Sequence, residues 1–133
     1  MRPFCPSPKN HLPITLLSFR GPTATEFLEW ITPSLLSSLP PFTSTLSVIL
    51  NERGGIIDDA IITKHSDDAF YLVTNAGRRE RDIEWFQEKL RDWNSSERAK
   101  DGPVEFEVLD GWGLLALQGW YYLELLNGDR LSR

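Results

Sequence analysis

Two adjacent carboxylates, Asp58 and Asp59, stand inside a run of isoleucines in N-E-R-G-G-I-I-D-D-A-I-I-T-K, residues Asn51 to Lys64. Five of the seven residues from Ile56 to Ile62 are apolar, so the segment reads as a strand with at least one buried face. Side chains alternate along a strand, so the two aspartates point to opposite faces and cannot both reach water under a covered sheet. An enclosed carboxylate needs a partner, a shifted pKa or a chemical task, because burying it unpaired is expensive. Asp59 shares its face with Ile57, Ile61 and Thr63; Asp58 shares its face with Ile56, Ala60, Ile62 and the charged Lys64. This parity favours Asp59 as the enclosed, functional carboxylate and places Asp58 nearer solvent or bonded to the adjacent turn. The competing reading puts the pair at a β-bulge or strand end, where it satisfies backbone N–H groups.

Other reactive side chains form weaker patterns. His65, Ser66, Asp67 and Asp68 have the residue types of a hydrolase triad, but neighbours in a tight turn cannot align as nucleophile, base and orienter. There is no phosphate loop or dinucleotide glycine motif. Two histidines and one cysteine lack metal-ligand spacing, and the opposed faces of Asp58 and Asp59 disfavour a carboxylate metal site. Trp30, Trp85, Trp93 and Trp112 read as core rather than as a ligand platform. Asn75, just before Ala76 and Gly77, is placed either in a site or as the cap of the following helix.

The elements that must position these residues follow from periodicity. Ile14 to Phe19 is predicted to be a strand, ended by Gly21 and Pro22. Thr23 and Glu26 have capping-box spacing, and Ala24, Phe27, Leu28, Trp30 and Ile31 supply the apolar stripe of a short helix that Pro33 stops. Ser34 to Pro41 is a packed connection with one helical turn. Thr43 to Leu50 alternates as a strand and pairs through the Asn51 to Gly55 turn with Ile56 to Lys64. A polar turn at His65 to Asp68 leads to a third strand of this group, Ala69 to Asn75. Ile83, Phe86, Leu90 and Trp93 define an amphipathic helix from Arg79 to Trp93, and the charged residues at its start, Arg78 to Asp82, read as solvated. After a polar loop, Val104 to Val108 and Gly113 to Gln118 read as two more strands. The sum is an α+β domain: a mainly antiparallel sheet with two flanking helices.

A chain of 133 residues is the length of one domain, and 41% hydrophobic with 25% charged residues is the globular norm. No apolar run reaches the ~20 residues of a membrane helix. A net charge of −5 argues against a general nucleic-acid binder, since phosphate contacts need clustered Lys and Arg. Cys5 is the single cysteine, which excludes a disulfide framework and suggests a reducing compartment. The first twenty residues carry Arg2, Lys9 and Arg20 without acidic residues, but Pro3, Pro6 and Pro8 spoil the amphipathic helix of a transit peptide.

N-E-R-G-G-I-I-D-D-A-I-I-T, then Y-L-V-T-N-A-G, then the acidic, aromatic helix, then V-L-D-G-W-G-L-L-A-L-Q-G, in that order and separation, closely resemble the aminomethyltransferase (T-protein) family of the glycine cleavage system. The resemblance covers Phe19 to Gly119. It implies the folate-binding domain of the T-protein fold in truncated form. Residues 1–18 would be an unmatched extension, 19–109 the central folate-binding domain, 110–119 the start of a return strand to a neighbouring domain, and 120–133 an unmatched tail. The implied activity is tetrahydrofolate-dependent: an aminomethyl group carried on the lipoyl arm of the H-protein is accepted, and ammonia and 5,10-methylenetetrahydrofolate are released. By the same resemblance Asp59 lies beside folate N10 as the catalytic carboxylate, and Leu46, Val73 and Asn75 line the folate pocket with it. The implied compartment is mitochondrial, and neither a metal, nucleic acid nor a membrane is implied. The family's opening Asp-x-Ser-His motif, its later glutamate and arginine pterin anchors and its C-terminal barrel are absent from this sequence, which makes the chain a fragment expected not to turn over by itself. The alternative on the same fold is a folate-binding relative acting in iron–sulfur assembly or in sarcosine or dimethylglycine oxidation.

Overall fold

The computed structural model describes residues 14–114. Five strands, β1 (Ile14–Arg20), β2 (Thr43–Leu50), β3 (Ile56–Ser66), β4 (Ala69–Asn75) and β5 (Glu105–Val108), form one sheet in the order β2-β3-β4-β1-β5, with every neighbouring pair antiparallel. The helices α1 (Ala24–Ile31) and α2 (Arg79–Asn94) join it as the apolar spacing requires, and a 3-10 turn at Leu36–Ser38 supplies the helical turn of the Ser-Pro connection. The strand expected at Gly113 to Gln118 lies mostly outside the described residues, and Gly113 and Leu114 are not in a strand.

Both helices cover the same face. The ring of Phe19 on β1 meets Phe27 of α1 at 5.9 Å and Phe86 of α2 at 5.1 Å, and Phe27 meets Trp93 at 5.8 Å. Around this cluster Leu17, Leu28, Ile62, Phe70 and Leu72 are fully buried. Burying one such side chain contributes about 1.5–3 kcal/mol, so this layer holds the sheet to the helices. Trp93 joins the core, but Trp30 and Trp112 do not: both are exposed, contrary to the core expectation for them.

The helix stripe of α1 forms without the expected capping box. The Thr23 hydroxyl donates instead to the Gly102 carbonyl at 3.0 Å and accepts from the Trp93 indole N–H at 3.1 Å, so it ties α1 to α2 and the following loop. At the far end Thr32 turns extended before Pro33, with its hydroxyl donating to Leu28 O at 2.8 Å.

The β2–β3 hairpin carries a bulge: Ile49 opposes Asp58, but Leu50 opposes Ile56, which leaves Ile57 as the extra residue. Asn51 organises the turn by accepting from the Arg53 and Gly55 N–H groups, each at 2.9 Å. His65 and Ser66 belong to β3 rather than to the next turn.

Candidate functional site

The helices decide which side of β3 is buried, and they choose the Asp58 side. Asp58, Ala60, Ile62 and Lys64 point into the core, whereas Asp59 and Ile61 are exposed. The expectation that Asp59 is the enclosed carboxylate and Asp58 the solvated one is therefore corrected. The misleading signal was Lys64. Its charge suggested water on that face, yet the residue is buried, with its ammonium donating to Leu36 O at 3.2 Å and pairing with Asp67 at 2.7 Å. The bulge misled the parity count further, because it buries both Ile57 and Asp58.

On the uncovered face the register gathers the four residues singled out by the sequence. Leu46 opposes Ile61, Ile61 opposes Val73, and Val73 opposes Leu16, a row across four strands. One step along, Val48 opposes Asp59, and the Asn75 side-chain amide donates to Asp59 Oδ1 at 2.7 Å. Leu46 and Val73 thus sit diagonally from Asp59 on neighbouring strands, within reach of one ligand. Leu46 is 74% and Ile61 45% exposed, so the carboxylate stands in an open apolar patch.

Asn75 holds both aspartates. Its Nδ2 also donates to Asp58 Oδ1 at 2.9 Å and its backbone N–H to Asp58 Oδ2 at 3.2 Å. The alternative that Asn75 caps the next helix is corrected: it makes no side-chain cap bond to the 3-10 turn Ala76–Arg78. The bulge reading of the aspartate pair is half right, since Asp58 does satisfy a strand-end N–H. Burial pushes the Asp58 pKa up, but the bonds from Asn75 and the contact with Asp82 outweigh it and hold the carboxyl below its ordinary value.

Asp82 was not recognised from the sequence as part of this group. Expected to be solvated, it is fully buried on α2, and its pKa is pushed up to about 7 by burial, by hydrogen bonding with Asp58 and by that residue's charge. A signal existed: Asp82 stands four residues before Phe86, on the apolar stripe rather than opposite it.

His65, Ser66 and Asp68 do not assemble a triad. Ser66 donates to Asp68, while the His65 ring packs edge-on against Phe42 and Tyr71. No cluster of three or more His, Cys, Asp or Glu that could hold a metal is present among the described residues. Beside the Asn75 end of the sheet a cleft of about 230 Å³ is lined by Ile14, Leu16, Ala76, Arg79 and Trp112, with Arg79 paired to Asp110 at 2.7 Å.

A five-stranded antiparallel sheet with both helices on one face defines an α+β domain, with Asp59, held by Asn75, on the face opposite the helices. A family model described as the GCVT N-terminal domain matches residues 14–127, and the chain belongs to that family. It is 44% identical over 100 residues to the mitochondrial aminomethyltransferase of Saccharomyces cerevisiae, covering 74% of this chain and 24% of that protein. It is 45% identical over 103 residues to the mitochondrial aminomethyltransferase of Mesembryanthemum crystallinum, covering 77% and 24%. The crystal structure of glycine cleavage system aminomethyltransferase T from Bartonella henselae superimposes with a TM-score of 0.60 at 32% identity, covering 73% of this chain and 24% of that one. The chain thus spans about a quarter of the length of the relatives it matches. Among the described residues no helix is long and apolar enough to cross a membrane.

Proposed function

We propose that this chain supplies one wall of a tetrahydrofolate-dependent aminomethyltransferase of the glycine cleavage system, acting in mitochondria on the aminomethyl group borne by lipoylated H-protein. The observation that carries the reading is the placement of Asp59: a carboxylate fixed by Asn75, in the middle of an uncovered apolar face. Leu46, Ile61 and Val73 offer a flat surface on which a planar ring can lie, and Asp59 is the charged acceptor beside it. The residues present fit such a ligand, which needs apolar support along its rings and an acceptor for an N–H.

Tetrahydrofolate, when bound, supplies the nucleophilic nitrogen that takes up the one-carbon unit. The chain's part is orientation and charge. Asp59 accepts a hydrogen bond from the amine and places a fixed negative charge beside the carbon as positive charge develops on it. Asn75 holds the carboxylate in one direction, so no reorganisation is needed at the moment of transfer. The relatives reported are named aminomethyltransferases, which favours this reading over iron–sulfur assembly or sarcosine and dimethylglycine oxidation.

The test is to titrate tetrahydrofolate into the isotope-labelled chain and follow amide and methyl signals. Perturbations are expected at Leu46, Asp59, Ile61, Val73 and Asn75, and they should be lost in Asp59→Ala. Perturbations confined to α1 and α2, or none up to millimolar tetrahydrofolate, would reject the assignment.

A further inference from the structure

The group least explained by packing is Asp82. It is fully buried, and neither carboxyl oxygen accepts a hydrogen bond from an N–H or hydroxyl donor that meets the geometry of one. A carboxylate in that condition would be an uncompensated buried charge, so the site favours the protonated form. A protonated carboxyl is a donor, and the acceptor beside it is Asp58 on β3. Asp58 in turn receives the backbone N–H and the side-chain amide of Asn75, and the same amide reaches Asp59. A continuous path therefore runs from α2, through the sheet, to the open face.

We propose that Asp82 is a positioning residue for Asp59: its proton, donated to Asp58, locks the Asp58–Asn75 pair and thereby the direction of the Asp59 carboxylate. The importance of that direction for folate rests on the proposed function; the coupling itself does not. When Asp82 loses its proton, two adjacent buried carboxylates repel, Asp58 turns away, and the Asn75 amide is free to leave Asp59. The groups around Asp82 are few. Asp58 faces it from β3, Arg78 acts on it from the turn before α2, and Thr74 on β4, the cross-strand partner of Thr15 on β1, presents only a neutral hydroxyl. Asp58 is the group whose hydrogen bond and charge hold the proton on Asp82; the Thr74 hydroxyl, also within hydrogen-bond reach, works the other way, and Arg78 is exposed and screened.

A purely structural role, tying α2 to the sheet, predicts something different at the Asn75 amide. The experiment follows the carboxyl carbons of Asp58 and Asp82 and the side-chain amide of Asn75 by NMR in the whole 133-residue chain, from about pH 5 to about pH 9, a range that spans a carboxyl raised by burial. It compares the chain with Asp82→Asn, which keeps a donor but cannot titrate, and with Asp82→Leu, which has none. The Asn75 amide is expected to shift in step with the Asp82 titration, and to stay at its low-pH position throughout in Asp82→Asn. Tetrahydrofolate affinity should fall on the order of tenfold across that titration in the parent chain and remain flat in Asp82→Asn, as a coupling of about one pKa unit requires. An Asn75 amide that ignores the Asp82 titration, or an Asp82 that titrates in the ordinary carboxylate range, overturns the proposal. If Asp82→Leu does not fold, the parent and Asp82→Asn still decide it. Absence of tetrahydrofolate binding at every pH would count against the proposed function alone, because the Asn75 signals report the coupling without a ligand.

Discussion

Asp58 and Asp59 are neighbours with opposite surroundings, and the partners of each set what its replacement should do. Asp59 is exposed and accepts a hydrogen bond from the Asn75 side chain, so Asp59→Ala in a full-length enzyme should leave folding stability nearly unchanged. Aminomethyl transfer should fall on the order of a hundredfold or more, the usual scale of a lost electrostatic or general-base group. Asp58→Ala should reverse the emphasis: it strands the Asn75 N–H groups and Asp82, at a cost of about 1–3 kcal/mol, read as an earlier urea midpoint. Equal transfer losses at matched stability would sink the distinction. Asp82 gives a second prediction at this scale. Its folded pKa is raised from 3.8 to about 7, so through that window the folded chain keeps a proton that the unfolded chain releases. Stability conferred by that proton is complete below the window and drains away as pH rises through it, by at most about 1.4 kcal/mol per pH unit. Asp58, held low, works the other way and loses its contribution only as the solution becomes more acidic than its ordinary range. Asp82→Asn should therefore gain on the parent as pH rises from about 5 to about 8 in urea unfolding, and parallel stability–pH curves would contradict the buried proton.

At the level of elements, the connections are as constrained as the strands. Gly21 closes β1 with φ at +144°, its N–H donating to Asp68 O at 2.8 Å, and a Cβ there would run into the Pro103 carbonyl oxygen on the way into β5. Gly21→Ala should then cost on the order of 1–3 kcal/mol by thermal unfolding, whereas Gly77→Ala, where added carbon meets open space, should be nearly silent. Most elements were legible in the sequence because their periods are clean: α2 through Ile83, Phe86, Leu90 and Trp93, and β4 through alternating Phe70, Leu72 and Thr74 against Tyr71, Val73 and Asn75. The sides were not. Periodicity shows that β3 has two faces, but which one the helices cover depends on long-range packing of Phe27 and Phe86 against Phe19, to which residues 56–66 contribute nothing local. Thr23 was misjudged for a related reason, since its hydroxyl serves a tertiary partner, Trp93, rather than its own helix. Leu46, Asp59, Val73 and Asn75, named together through the family resemblance, lie on neighbouring strands in register, while the order of burial between the aspartates is the reverse of the expectation.

Among the described residues the sheet is covered on one side only. The helices seal the core face, while Leu46 and Ile61 stand exposed on the other beside the half-buried Leu16, Val48 and Val73. An apolar patch of this kind on a free-standing domain attracts either a ligand or another protein surface. The 133-residue chain alone should consequently associate as its concentration rises, and Leu46→Lys with Ile61→Lys should make it monomeric with little change in thermal midpoint, because the substituted positions lie outside the core. On the proposed function, the same one-sidedness would limit catalysis. Positioning a nucleophile and its acceptor can account for about 7–11 kcal/mol of a barrier, and a single open wall fixes a ligand from one side only. With tetrahydrofolate and loaded H-protein, the chain should therefore form methylenetetrahydrofolate orders of magnitude more slowly than a full-length relative, even with Asp59 and Asn75 in place. Sedimentation velocity across a concentration series, run beside the transfer assay, checks both halves of the argument: a monomer that turns over near the full-length rate would mean that the bare face is already a complete site.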